Sequence, residues 1–175
     1  MAALDNLLTL NAVRGIGTVL HRRLLQRFGT IERILSASEM ALQEVRGIGP
    51  AISGELREAV RKETGARERE LAGEKDIQIL TFDDPSYPAY LRAIYDAPLV
   101  LYFRGSIQPE DLLAVALVGS RLPSFYGAQC AERLAAGLAG RGVTVVSGLA
   151  RGIDTAAHRG ALKAKGRTLA VLGSG

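Results

Sequence analysis

Three short runs of almost uninterrupted apolar residues mark the last third of this chain: Leu113 to Val118, Val143 to Val146 and Thr168 to Leu172. Strands buried on both faces of a parallel sheet need continuous rather than alternating apolar character. The stretches between the runs have helical periodicity. Ala131, Leu134, Ala135 and Leu138 fall at i, i+3, i+4 and i+7, and a second helix is expected from about Ile153 to Ala164. Parallel neighbours require crossovers of this kind. The succession strand–helix–strand–helix–strand therefore predicts a doubly wound, Rossmann-like α/β sheet.

Upstream, the periodicity is helical and repeats itself. Arg14-Gly-Ile-Gly17 returns 32 residues later as Arg46-Gly-Ile-Gly49, each time after a valine and before an amphipathic stretch. Leu4 to Val13 and Thr18 to Phe28 read as helices, the second stopped by Gly29. Ser38 is an N-cap for a short helix reaching Val45, and Pro50 fits the first turn of a helix running to about Lys62. The charged stretch Thr64 to Lys75 reads as the end of that helix or as a linker. Ile77 to Phe82 and Leu99 to Phe103 read as strands around the turn-rich Asp83 to Pro88 and a short helix near Tyr90 to Ile94. The expected organisation is a small all-helical, SAM-like domain over residues 1–72 with two helix-hairpin-helix units, then a sheet domain over 73–175.

In each hairpin, two glycines around an isoleucine let the chain turn tightly while the isoleucine plugs the core. The N–H groups that open the next helix are then free to face an anion. The pattern resembles the helix-hairpin-helix DNA-binding motif, which makes Gly15, Gly17, Gly47 and Gly49 secondary DNA contacts. Val45 to Ala51 is the better copy, since Val19 and Leu20 stand where the motif often has a small residue. Degenerate copies of the motif serve as scaffolds or protein contacts, and that reading stays open here.

Charge is unevenly distributed. From Leu71 to Leu112 there are three basic and seven acidic residues, whereas from Leu113 to Gly175 there are eight basic and two acidic. Such polarity suits an anionic partner, although a solvated basic surface has the same composition. Cys130 is the only cysteine, which excludes an internal disulfide framework and a cysteine-rich zinc site. No apolar run reaches the roughly 20 residues of a membrane span, and no secretory leader is read at the N-terminus. A reducing cytoplasm is the expected location.

Two glycine-rich loops carry the chemistry, each following a parallel strand and leading into a helix, the edge where open α/β sheets bind ligands. In the first, Gly119 allows close approach, Ser120 offers a hydroxyl and Arg121 supplies a planar fork for phosphate oxygens. In the second, Ser147, Gly148 and Gly152 form a turn able to direct several N–H groups at an anion, and Arg151 adds another fork. Neither loop has the G-x-G-x-x-G spacing of dinucleotide sites or the G-K-[ST] ending of a P-loop, so no nucleotide cofactor and no metal is expected. Asp154 and His158, four apart on a helix, suit a hydrogen-bonded structural pair rather than a catalytic dyad. Tyr126 is placed to stack on a base or to pack at the helix start.

Val118-Gly-Ser-Arg121, Tyr126-Gly127, the string from Val146 to Asp154, Ala157-His158 and Thr168 to Gly173 closely resemble the DNA-processing protein A (DprA, or Smf) family. Asp84-Pro-Ser-Tyr-Pro88, Pro98 and Leu101 to Gly105 resemble that family's lead-in to its sheet. The resemblance implies a cytoplasmic bacterial protein that is not an enzyme. Such a protein binds single-stranded DNA in natural transformation and loads the RecA recombinase onto it. It also implies DNA contact by Arg121 and Arg151, with Gly119, Ser120, Ser147 and Gly148 lining one phosphate pocket. The family continues beyond Gly173-Ser-Gly175, so the resemblance implies a fragment, with the rest of the pocket, the homodimer contact and the RecA contact in the missing part. The alternative is a nucleotide-processing Rossmann-like hydrolase similar to the LOG phosphoribohydrolases.

Overall fold

Each hairpin isoleucine is buried, Ile16 and Ile48 alike at 5% exposure, in a core built with Leu10, Leu24, Ile34, Leu42 and Leu56. The computed structural model describes residues 2–173. Around this core run α1 (Ala2–Asn11), α2 (Thr18–Phe28), α3 (Ile31–Ser36), α4 (Glu39–Gln43), α5 (Pro50–Arg61) and α6 (Thr64–Glu74). Gly29 ends α2 at φ +83° and donates its N–H to Leu25 O. Ser38 Oγ caps α4 by accepting from Ala41 N–H at 3.2 Å.

Two of these helices go beyond the sequence expectation. Helix α3 is opened by Thr30, whose Oγ1 accepts from Arg33 N–H at 3.3 Å. The expected linker is instead α6, separated from α5 by a left-handed Glu63 at φ +51°. Its partner is α1: Gly65 N–H donates to Thr9 Oγ1 at 3.1 Å, and Arg69 pairs with Asp5 at 2.6 Å. A Cβ at residue 65 would stand 1.9 Å from Asp5 O, so this helix contact admits only glycine.

Strands β1 (Gln78–Thr81) and β2 (Val100–Phe103) pair with each other, antiparallel. Between them lies α7 (Ala89–Arg92), and Tyr87 Oη donates to Pro98 O at 2.8 Å. This hairpin groups with the helices. The chain forms two compact units, Met1–Ser106 and Ile107–Gly175, so the expected division after residue 72 lies inside the first, near the end of α6.

The second unit contains a 3₁₀ turn (Pro109–Leu112), β3 (Ala114–Ala116), α8 (Phe125–Ala139), β4 (Thr144–Ser147), α9 (Ile153–Lys163) and β5 (Thr168–Ala170). The three strands are parallel in the order β3-β4-β5. That order is one βαβαβ half of the expected Rossmann-like sheet. Successive right-handed crossovers moving the same way place their helices on the same face. Helices α8 and α9 accordingly share one core with Val145 through Ala135, Ala139, Ala157 and Ala161.

Helix α8 also turns differently from its apolar spacing. Ala131, Ala135 and Ala139 are buried while Leu134 is 59% exposed. The approach to α9 is too close for leucine: a Cβ on Gly160 would lie 2.1 Å from Glu132 O. Asp111 ties the sheet's lower end together, accepting from Thr144 Oγ1 at 2.9 Å and from Arg167 Nη2 at 2.6 Å. The Arg167 guanidinium holds the Asp111 carboxyl below the usual carboxylate range, against the opposing effect of burial.

Candidate nucleic-acid interface

Where β3 and β4 end, the chain keeps pairing for one more step, Leu117 N–H donating to Val146 O at 2.9 Å, before the two glycine loops begin. These loops are built against one another. Ile153 N–H, at the start of α9, donates to Ser120 O at 3.1 Å. Gly152 sits at φ +86°, and a Cβ there would fall 2.3 Å from Ser120 O and 2.8 Å from the Arg121 carbonyl. A Cβ on Gly119 would meet Ile153 Cγ1 at 2.8 Å. Gly119 and Gly152 are thus needed where the two backbones meet, and that meeting brings the loops bearing Arg121 and Arg151 together.

A buried carboxylate shapes the second loop. Asp154, 7% exposed, accepts with Oδ2 from Gly148 N–H at 3.1 Å and Ala150 N–H at 3.4 Å. Thr155 Oγ1 returns a bond to Ala150 O at 2.7 Å. Leu149 is pinned between them at φ +56°, an uncommon conformation for a branched side chain, with that side chain 59% exposed. Ser147 is buried and donates to Leu117 O at 2.6 Å. The N–H groups of Gly148, Ala150 and Ile153, expected to face an anion, donate inside the protein instead, because Asp154 and Ser120 O reach them first. Ser147 and Gly148 therefore position the loop. Ser120 Oγ accepts from Leu122 N–H at 3.1 Å and retains its own proton for donation.

Arg121 and Arg151 are exposed and make no hydrogen bond or ion pair with any described residue. The Asp154 carboxylate of the second loop is turned inward onto the loop amides. Beside Arg121 stand three exposed side chains, Leu122, Phe125 and Tyr126, at 92%, 79% and 76%. Tyr126 is thus not packed at the helix start. The sequence signal for Leu122 and Phe125 is an apolar cluster around the N-cap Ser124.

The expected Asp154–His158 hydrogen bond is absent. The loop amides occupy Asp154, while His158 Nδ1 lies 2.7 Å from Thr168 Oγ1. That hydroxyl spends its proton on Val145 O at 2.8 Å, so His158 Nδ1 must carry the hydrogen between them. Burial lowers the His158 pKa, with the Asp154 charge acting the other way.

In the helical unit, Gly15 and Gly47 adopt φ +91° and +102°, while Gly17 and Gly49 open α2 and α5 in extended conformation. The 32-residue repeat is structural as well. Arg14 N–H donates to Glu55 Oε1 at 3.0 Å, and Arg46 O accepts from Arg23 Nη1 at 2.8 Å, so equivalent positions exchange equivalent contacts across the pair. Leu20, out of place for the motif, packs where a Cβ on Gly47 would lie, at 2.8 Å. One exposed hairpin donor is therefore already held by a carboxylate of the same domain.

Known proteins share both parts of this architecture. The family described as DNA recombination-mediator protein A matches residues 78–175, and a helix-hairpin-helix motif matches residues 7–67. Protein Smf of Synechocystis sp. is 37% identical over 174 residues, covering 93% of this chain and 42% of its own. DNA processing protein DprA of Streptococcus pneumoniae is 47% identical over 92 residues, covering 53% and 32%. The X-ray structure of DprA from Streptococcus pneumoniae superposes with a TM-score of 0.66 at 30% identity, over 96% of this chain and 56% of that one. The chain thus spans less than half the length of these two curated relatives. On the match over residues 78–175, the chain belongs to the DNA recombination-mediator protein A family.

Proposed function

We propose that the joined strand-end loops bind the phosphodiester backbone of single-stranded DNA without sequence preference. In this reading the protein acts by binding rather than by catalysis. It serves natural transformation in the cytoplasm by helping to load the RecA recombinase, as a homodimer. One observation carries the reading: two guanidiniums, Arg121 and Arg151, have no internal partner, on loops locked together at Ile153–Ser120. Planar forks match phosphate oxygens, and free ones incur no loss of an internal bond on binding. Ser120 adds a hydroxyl donor, Gly119 and Gly152 allow backbone contact, and Ser147 and Gly148 hold the second loop in shape. Phe125 and Tyr126 offer ring faces to bases, which stack without regard to sequence. Gly15, Gly17, Gly47 and Gly49 are secondary DNA contacts in this reading.

The test is a titration with single-stranded oligonucleotides of different sequence. Equal affinities that fall with salt, and fall further when Arg121 and Arg151 become alanine, support the reading. Unchanged binding in that double variant contradicts the site. Release of free base from a nucleoside monophosphate would contradict the binding-only role and favour the hydrolase alternative. A RecA loading assay on DNA covered by single-strand-binding protein tests the downstream step.

A further inference from the structure

Away from the loops, the first unit contains an open cavity of about 360 Å³ between α2 and the segment that joins β1 to β2. Thr18, Arg22 and Leu25 fall at i, i+4 and i+7 of α2, so one face of that helix forms one wall. Leu25, Ile31, Phe82 and Leu99 make the lining apolar. The walls are held before anything binds. Thr18 Oγ1 donates to Ala97 O at 3.3 Å, tying the start of α2 to the segment. The rings of Phe82 and Tyr87 pack with centres 5.5 Å apart, and the Arg92 guanidinium stands 5.5 Å and 5.6 Å from those centres. Where the cavity opens to solvent it stays apolar, through Ile94 at 46% exposure and Tyr95 at 78%. Two cations border it. Arg92 donates to Asp84 O at 2.6 Å, and Arg22 is exposed with no partner among the described residues. Asp83 is the carboxylate that also lines it, leaving an excess of positive charge.

We propose that this groove docks an acidic peptide segment of another protein, with one apolar side chain in the cavity and carboxylates on Arg22 and Arg92. The rim and the lining together select that partner. A free guanidinium beside an apolar hollow is matched by a side chain that fills the hollow and a carboxylate next to it. The cavity has room for a phenylalanine or leucine side chain, the kind of central anchor that carries most of an interface's energy. A small amphiphilic acid would fill the hollow and leave Ile94 and Tyr95 bare, whereas the next side chain of a peptide lies over them. A nucleic-acid strand would find the cations but set its polar backbone against an apolar lining. Asp83 gives the groove a direction, repelling the partner's acids at one end while Arg22 and Arg92 draw them to the other. Because the walls are already fixed, little ordering opposes docking. The proposal concerns the first unit alone and does not depend on the strand-end loops.

The test is fluorescence anisotropy of the full chain with the labelled peptide Glu-Glu-Phe-Leu-Glu. Two further peptides separate the contributions: Glu-Glu-Ala-Ala-Glu lacks the anchor, and Lys-Lys-Phe-Leu-Lys reverses the charge. Expected are saturable, salt-sensitive binding of the first and at least about tenfold weaker binding of the other two. Arg22→Glu, at an exposed position, should weaken the glutamate peptide by about tenfold and strengthen the lysine peptide, an exchange of preference that a merely destabilised fold would not give. Ile94→Asp, at the opening, should also weaken the glutamate peptide. Methyl resonances of Leu25, Ile31 and Leu99 should shift on binding. Arg121→Ala with Arg151→Ala should change none of this. Loss of peptide binding in that double variant would place the peptide on the loops and overturn the proposal while leaving the loop reading standing. Equal binding of the glutamate and lysine peptides, or no binding at millimolar peptide, also overturns it. So does displacement of the peptide by a single-stranded oligonucleotide in the double variant, which would assign the groove to nucleic acid.

Discussion

The two hairpins of the first unit and the two strand-end loops of the second are assembled from the same parts: glycines, a branched apolar side chain, an arginine and a helix start. They differ in how their carboxylates are used. In the hairpins, Glu55 already holds Arg14 N–H and the Arg23 guanidinium lies on Arg46 O. In the loops, the one carboxylate, Asp154, is buried and spent on amides, and the cations Arg121 and Arg151 are left over. A glycine turn alone is therefore a poor guide to an anion site. Arg14 and Arg46 are exposed and equally without a side-chain partner among the described residues, so what sets the loops apart is two such cations on backbones locked together beside a carboxylate turned inward.

The difference is open to attack at several points. Reversing both loop charges, Arg121→Glu with Arg151→Glu, should have the largest effect and reduce single-strand affinity by about a hundredfold or more, read by fluorescence anisotropy. Retained binding would move the site to the hairpins. Gly152→Ala should follow, since its Cβ would meet Ser120 O at 2.3 Å in a backbone at φ +86°. A destabilisation of about 3 kcal/mol in chemical denaturation, with lost DNA binding, is expected. A stable variant would mean that the loops separate without cost. Asp154→Ala removes the acceptor for Gly148 and Ala150 and should cost about 1–3 kcal/mol.

Acid stability provides a smaller test. Asp111 has its pKa lowered chiefly by Arg167, so its contribution is complete above the unfolded value of about 3.9 and is lost as pH falls through the folded value. Asp111→Asn should lower stability at neutral pH and flatten the acid limb of the pH–stability curve. An unchanged limb would show that the pair contributes nothing. The smallest effect is expected at the hairpins: Glu55→Gln should change single-strand affinity by less than about twofold.

Much of this was legible in the sequence because it depends on periodicity and turn chemistry. The three parallel strands, Thr18–Phe28, the Ser38 cap and the Pro50 start all appear where the residues predict them. Features decided by distant contacts were hidden. Helix α6 exists because Gly65 lets it lie against Asp5 and Thr9, some sixty residues away in sequence. The burial of Ala131 rather than Leu134 follows from the close approach of Gly160. Both arginine loops could be read from composition and position. The inward turn of Ser147 and Asp154 could not, because the left-handed Leu149 decides which amides the carboxylate reaches.

The most direct test of the central claim is the salt dependence of single-strand binding in the native chain and in the Arg121→Ala, Arg151→Ala double variant. Each phosphate neutralised contributes about −0.7 to the slope of log affinity against log salt. If these two guanidiniums hold two phosphates, the variant's slope should be shallower by about 1.4, equally for every sequence tested. Two lines of equal slope would show that neither arginine touches the backbone, and the loops would then lose their claim to the site.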